Sequence, residues 1–133
     1  MFEKYVENMN PSESIKKIIQ EKNVSRAEAT KILRRKIPDE SYFQKKIIEG
    51  LKKNYPAAFI TKITLSSYSE AGIPDILFIL DGHYFGFEVK KPVFGKPTKL
   101  QEVAIKRINA AGGTAAVVSY PEECYAIIEK WRN

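Results

Sequence analysis

Apolar residues recur at helical spacing over the first part of the chain. Ile15, Ile18 and Ile19 share one face of a segment that predicts a short helix from residue 11 to about residue 22. A second helix is predicted to follow, because Ser25 and Glu28 form a capping-box pattern ahead of another apolar stripe. Its polar side is crowded with basic residues and it ends before residue 38, so the chain begins with a basic helical pair.

A second set of patterns predicts the remaining elements. In chain order they are a helix over 39–55, strands over 57–65, 76–80 and 84–90, a helix over 98–111, a strand over 114–119 and a helix from 121. The continuous apolar run of 76–80 is typical of a strand covered on both faces, and the helix over 98–111 is expected to bury Leu100 and Ala104. This order places the chain in the α/β class, with a mixed central sheet flanked by helices.

Length and charge suggest one main domain with an appendage. The 133 residues, 44% of them hydrophobic, suffice for one compact core. Residues 1–36 hold nine basic and five acidic residues, whereas residues 37–133 hold thirteen and eleven. We therefore expect a basic helical extension over 1–37 and a main domain over 38–133. The extension either grips a polyanion such as DNA or packs on the domain or a second subunit.

The scarcity of cysteine and histidine excludes several kinds of catalytic site. Cys124 is the single cysteine and His83 the single histidine. The chain therefore lacks the residues needed for the active site of a zinc hydrolase or of a Cys-His or Ser-His-Asp hydrolase. His83 follows Asp81-Gly82, a typical hairpin turn, and is expected to be a surface turn residue. No membrane span or signal peptide is visible, so we expect a soluble protein in a cytoplasmic, reducing setting. Any metal must be bound by oxygen.

The candidate chemistry is concentrated on one hairpin. Period-two alternation in the strand over 84–90 sends Glu88 and Lys90 to the same face, and Asp75 stands at the start of the neighbouring strand. Two converging carboxylates favour a divalent cation such as Mg²⁺, and a nearby lysine suits phosphodiester hydrolysis. In the alternative interpretation Asp75 caps a turn, and Glu88 forms an exposed ion pair with Lys90.

Four motifs together resemble a known nuclease family. They are Gly72-Ile-Pro-Asp75, Phe87-Glu-Val-Lys90, Gly95-Lys-Pro-Thr-Lys-Leu-Gln101 and Ala110-Ala-Gly-Gly113. Over about residues 39–129 the chain resembles the virus-type replication-repair nuclease (VRR-NUC) family of the PD-(D/E)XK superfamily, and most of all its small stand-alone phage and bacterial members. The resemblance implies a restriction-endonuclease-like core and a Mg²⁺-dependent deoxyribonuclease, with Mn²⁺ able to substitute, in a bacterial or phage-infected cell.

The resemblance also implies residue roles. Asp75 and Glu88 match the metal-binding acids, Val89 the residue whose backbone carbonyl completes the metal shell, and Lys90 the catalytic lysine. Gln101 matches a catalytic glutamine, although with Thr98 it also forms a capping-box pattern. Glu40 matches a glutamate that reaches the metal through water, or else it is a solvent-facing acid favoured by the helix dipole.

The expected substrate is DNA, bound through its backbone and shape, because no base-reading motif is visible. Candidate DNA-binding residues are Lys62, Lys96, Lys99, Arg107, Arg34 and Arg35. The resemblance to stand-alone members implies a homodimer acting on branched DNA such as a four-way junction, in DNA repair. The alternatives are a monomeric flap or single-strand nuclease, and a non-catalytic DNA-binding module with the nuclease fold.

Overall fold

The computed structural model describes residues 11–64 and 71–133. Leu65, the last residue of the strand predicted over 57–65, lies outside these residues. The elements are α1 (Pro11–Lys22), α2 (Arg26–Lys36), α3 (Glu40–Asn54), β1 (Phe59–Lys62), β2 (Ile76–Leu80), β3 (His83–Val89), α4 (Lys99–Ala110), β4 (Thr114–Val118) and α5 (Pro121–Arg132). Every helix and strand expected from the sequence is present.

The chain divides into two compact units. The first unit runs to Asp39 and also takes in the segment Lys91–Gly95, and the second holds Glu40–Lys90 and Lys96–Asn133. In the first unit, Ile18 of α1 and Leu33 of α2 are fully buried. This unit therefore has a small apolar core of its own.

The second unit is a mixed four-stranded sheet with helices. The strand order is β1-β2-β3-β4, with antiparallel pairing from β1 to β3 and parallel pairing between β3 and β4. Phe78, Phe85 and Phe87 are fully buried on one face of the sheet, and the Tyr55 ring of the α3–β1 connection lies 5.6 Å from Phe78. Helices α3 and α5 contact each other. The predicted α/β architecture is confirmed.

The other face of the sheet is less covered than its apolar sequence predicts. Ile79 of β2 is 37% exposed, and its register partner Phe59 on β1 is 61% exposed. The expectation that the strand over 76–80 is covered on both faces is therefore wrong. Ile79 of β2 remains partly at the surface because the described helix on this face, α4, contacts mainly β4.

Helix α4 is rotated relative to the prediction. Leu100 is 58% exposed rather than buried, whereas Ala104 is buried as expected. The rotation has a polar cause, because Asn109 exchanges two hydrogen bonds with the backbone of Ala115 and Gln101 bonds to a buried side chain of β3. Gln101 and Ala104 therefore lie on the inward side of the helix, whereas Asn109 reaches the Ala115 backbone from an exposed position.

His83 also differs from the expectation of a surface turn residue. It is the first residue of β3 and is half-buried, with its ring stacked on Trp131 at 4.4 Å and its Nε2 2.8 Å from Thr114 Oγ1. It therefore helps to hold α5 against the sheet and adds a side-chain contact between the neighbouring strands β3 and β4. Within residues 11–64 and 71–133, no helix has the length and apolar character needed to cross a membrane.

Candidate metal centre

The β2–β3 hairpin brings the two predicted acids together. Asp81 and Gly82 both have positive φ, 51° and 78°, so the predicted tight turn forms and sets Ile76 opposite Phe87. Asp75, one residue before β2, therefore lies beside Glu88. The backbone N–H of Val89 donates to Asp75 Oδ2 at 2.9 Å. This bond fixes the Asp75 carboxylate at the end of β3.

Lys90 completes the strand end beside Glu88. Its Nζ lies 3.7 Å from Glu88 Oε2. Its backbone is held on both sides, because its N–H donates to Val118 O at 3.0 Å and its carbonyl accepts from Ser119 Oγ at 2.7 Å. Ser119 was not identified from the sequence. It follows β4 and is 29 positions from Lys90, so only the sheet pairing reveals the contact.

Gln101 caps α4, as one of the two interpretations of the sequence predicted, and it also contacts Glu88, while its catalytic role stays a prediction. Its Oε1 accepts from the N–H of Thr98 at 2.8 Å, while its own N–H donates to Thr98 Oγ1, which completes the capping box of α4. Its Nε2 donates to Glu88 Oε2 at 3.1 Å. Because a backbone donor faces one end of the amide and a carboxylate the other, only one amide orientation satisfies both.

Gly72 explains why the motif before Asp75 needs a glycine. It has φ of 82°, and a Cβ at this position would overlap the carbonyl group of Leu100 and lie 2.9 Å from the N of Gln101. The chain thus passes directly beside the first turn of α4. Pro74 is buried two residues later, where a Cβ on Gly86 would come 2.9 Å from its Cγ. The close packing of this motif against α4 and β3 therefore brings Asp75 near Gln101.

Glu40, the first residue of α3, joins the two acids. Carboxylate oxygens of Glu40, Asp75 and Glu88 all lie within 4.8 Å of one another. Oxygen ligands on opposite sides of one divalent cation are roughly 4 to 5 Å apart, since each lies about 2.1 to 2.5 Å from the ion. The three carboxylates are therefore spaced as ligands of a single ion can be. We name them the acidic cluster.

The buried position of Glu88 makes its negative charge costly. Its side chain is 1% exposed, and its Oε1 has no hydrogen-bond partner among the residues that the structure describes. Burial, followed by the neighbouring Asp75 carboxyl, raises the pKa of Glu88 to about 8; the Lys90 ammonium opposes this, and Glu40 adds to it. A buried oxygen with no donor and a crowd of carboxylates are both relieved by a divalent cation.

The remaining candidates are surface cations. Lys62, Lys96, Lys99 and Arg107 are exposed on β1, on the segment before α4 and on α4 itself, while Arg34 and Arg35 are exposed on α2 of the first unit. The structure thus gathers Asp75, Glu88, Lys90, Gln101 and Glu40 into one site. The DNA-binding role of the six basic residues stays a prediction.

Comparison with known proteins supports the fold. No family model and no curated protein matches the sequence. A solved structure described as "VRR_NUC domain" is 29% identical, covers 68% of this chain and 94% of that one, and superposes with a TM-score of 0.53. Its match agrees with the mixed sheet and flanking helices described above. The chain therefore has a VRR-NUC-like fold, which is a nuclease fold.

Proposed function

We propose that this chain is a metal-dependent DNA endonuclease that hydrolyses phosphodiester bonds. The observation that carries the proposal is the acidic cluster, with the Lys90 ammonium 3.7 Å from Glu88, at the end of the central hairpin of a nuclease fold. Oxygen ligands of this kind suit Mg²⁺, and Mn²⁺ can substitute. Asp75, Glu88, the Val89 carbonyl and, through a water, Glu40 are the proposed ligands.

The bound ion would polarise a phosphate oxygen and lower the pKa of a water molecule. The protein supplies the remaining parts. Asp75 and Glu88 position negative charge around the ion, and Lys90 places a positive charge beside the scissile phosphate, where it stabilises the charge that develops in the transition state. Because the side chain of Lys90 is only 14% exposed, water screens its charge weakly.

The two oxygens of Glu88 have different roles in this proposal. Oε2 is occupied, since Gln101 donates to it and Lys90 lies beside it. Oε1 has no donor among the described residues and is left for the cation. Gln101 is thus a positioning residue, which orients Glu88 from outside the cluster.

The direct test is cleavage with and without metal. Purified protein should cut DNA in the presence of Mg²⁺ or Mn²⁺ and lose that activity in EDTA. A panel of single-stranded, flap, junction and linear duplex DNA gives the substrate preference. Binding without any cleavage across the panel, at several metal concentrations, would contradict the enzyme and favour a DNA-binding module.

Gln101→Ala and Thr98→Ala form a matched pair of tests for the positioning role. Thr98→Ala removes the hydroxyl half of the cap, and Gln101→Ala removes the amide half. Each change should cost about 1 kcal/mol of stability. Only Gln101→Ala also removes the donor to Glu88 Oε2. We expect its cleavage rate per folded molecule to fall roughly tenfold, by analogy with the loss of other groups that orient metal ligands. Equal rates for the two variants would mean that Gln101 only caps α4.

We further propose a C2 homodimer that prefers four-way junctions. The one acidic cluster found in residues 11–64 and 71–133 would supply one cut. Resolving a junction needs two cuts related by a two-fold axis, and a C2 dimer provides them. Lys62, Lys96, Lys99 and Arg107 are the proposed phosphate contacts. One chain has a mass of 15.2 kDa, and light scattering should give twice that value. Paired nicks should map to symmetric positions on a junction. A monomer mass, or unpaired nicks no faster than on linear duplex, would favour a monomeric flap or single-strand nuclease.

A further inference from the structure

The first unit contains a helix pair joined by a very short turn. Helix α1 ends at Lys22 and α2 begins at Arg26, so residues 23–25 form the whole connection. Asn23 takes the left-handed conformation, with φ of 52°, and Ser25 caps α2 by accepting from the N–H of Glu28 at 3.2 Å. A three- or four-residue turn between two helices is one feature of helix-turn-helix DNA-binding motifs.

One side of each helix is used for internal packing. Ile15 and Ile18 of α1 are buried, as are Ala29 and Leu33 of α2. The opposite side of α2 is open to solvent and carries residues at spacings of four, seven and eight: Ala27, Lys31, Arg34 and Arg35. We name these four residues the outer face of α2. The helix is therefore supported from behind and presents a single face.

Charge distinguishes the two helices. Helix α2 carries five basic residues and one acidic residue, whereas α1 carries three and two. Arg34 is held in place by stacking on Phe94 of the same unit, 4.1 Å from the ring centroid, and Arg35 lies 3.6 Å from Glu28. These contacts fix the direction of two guanidinium groups without removing them from solvent. The outer face is thus cationic and partly preorganised.

We propose that this unit is a helix-turn-helix element whose outer face of α2 enters the major groove of duplex DNA. Ala27 near the start of the face allows close approach, and Lys31, Arg34 and Arg35 flank it with positive charge. The 11 residues of α2 span about 16 Å, and a major groove about 12 Å wide admits a helix. The ligand follows from the proposed function, but the residues that bind it here are not those of the acidic cluster.

The outer face suits duplex DNA better than other nucleic acids. None of its four residues is aromatic, and Arg34 covers one face of the neighbouring Phe94 ring, so the surface lacks the row of open rings on which unpaired bases stack. The major groove of an RNA duplex is too deep and narrow for a helix. Duplex DNA is therefore the form whose groove fits α2.

The first test separates groove entry from simple charge attraction. Binding of the full chain to a linear DNA duplex is measured in EDTA, so that no cutting occurs. Ala27→Leu adds bulk without charge and is compared with Gln20→Leu on the exposed side of α1. We expect a roughly tenfold or greater loss of affinity for Ala27→Leu and little change for Gln20→Leu. Circular dichroism melting confirms that both variants are folded.

A second comparison concerns charge. Lys31→Glu should weaken binding and reduce the salt dependence, because a phosphate contact is lost, while Lys16→Glu, the same charge change on α1, should have a smaller effect. Equal losses from both variants would show that the unit attracts DNA only through its overall charge and would overturn the proposal.

The groove itself is tested with modified DNA. Bulky glucosyl groups on the C5 substituent of cytosine project into the major groove and should abolish the part of the affinity that depends on groove entry. A minor-groove ligand such as netropsin should not compete with the protein. Unchanged binding to the glucosylated duplex would overturn the inference. Cleavage is scored separately: a chain that cuts DNA but tolerates Ala27→Leu retains the proposed function and loses this inference. A chain that fails to cut DNA but shows the expected effects of Ala27→Leu and of the glucosylated duplex loses the proposed function and retains this inference.

Discussion

Asp75→Asn, Glu88→Gln and Lys90→Ala are each expected to reduce metal-dependent DNA cleavage by about a thousandfold or more. The first two replace a charged metal ligand by a neutral group of the same shape, so the acceptor for the Val89 N–H and the acceptor for Gln101 are retained. The third removes the positive charge that we propose lies beside the scissile phosphate. The measurement is the single-turnover cutting rate of each purified variant, with folding checked by circular dichroism.

Exposed residues of α5 provide the controls. Glu122→Gln and Lys130→Ala make comparable changes in charge at exposed positions of that helix, and both should cut at the rate of the unmodified protein. Near-normal cutting by a folded Asp75→Asn protein would show that the acidic cluster is not the active site. Loss of cutting in the control variants would show that the assay reports net charge rather than the site.

The hairpin that carries the site was predictable because its determinants are local. Strand alternation places Glu88 and Lys90 on one face, and the Asp81-Gly82 turn, whose φ values are both positive, aligns β2 with β3. The convergence of Asp75 with Glu88 follows from these two facts. No information from distant parts of the chain is needed.

The orientation of α4 was not predictable from its apolar stripe. Leu100 belongs to that stripe, yet it is exposed, whereas Gln101 turns inward to bond to a buried carboxylate and the exposed Asn109 bonds to the Ala115 backbone. Hydrophobic periodicity gives the number and extent of helices, but partners distant in sequence can rotate a helix. The same limit applies to Ser119, whose contact with Lys90 depends on the parallel pairing of β3 and β4.

The acidic cluster should reduce the stability of the metal-free protein. Burial and the Asp75 carboxyl raise the pKa of Glu88 from 4.5 to about 8, so the folded state favours the protonated form more than the unfolded state does. Stability from this group is complete below about pH 4.5 and is lost as pH rises through 8. Ionising Glu88 in the folded protein then means placing a charge beside two other carboxylates without a metal ion, an arrangement that the Lys90 ammonium offsets only in part.

Glu88→Gln is therefore expected to raise the melting temperature of the metal-free protein at pH 8 by several degrees, although it abolishes cutting. At pH 5 the two proteins should melt at nearly the same temperature, because Glu88 is then protonated in the folded state. If Mg²⁺ binds the ionised cluster as proposed, it should stabilise the unmodified protein more at pH 8 than at pH 5 and leave Glu88→Gln nearly unaffected. The measurement is a set of thermal melts at both pH values in EDTA and in Mg²⁺. If the melting temperatures of the two proteins change in parallel with pH in EDTA, ionisation of Glu88 does not destabilise the metal-free protein. Equal stabilisation of both proteins by Mg²⁺ would place the ion elsewhere.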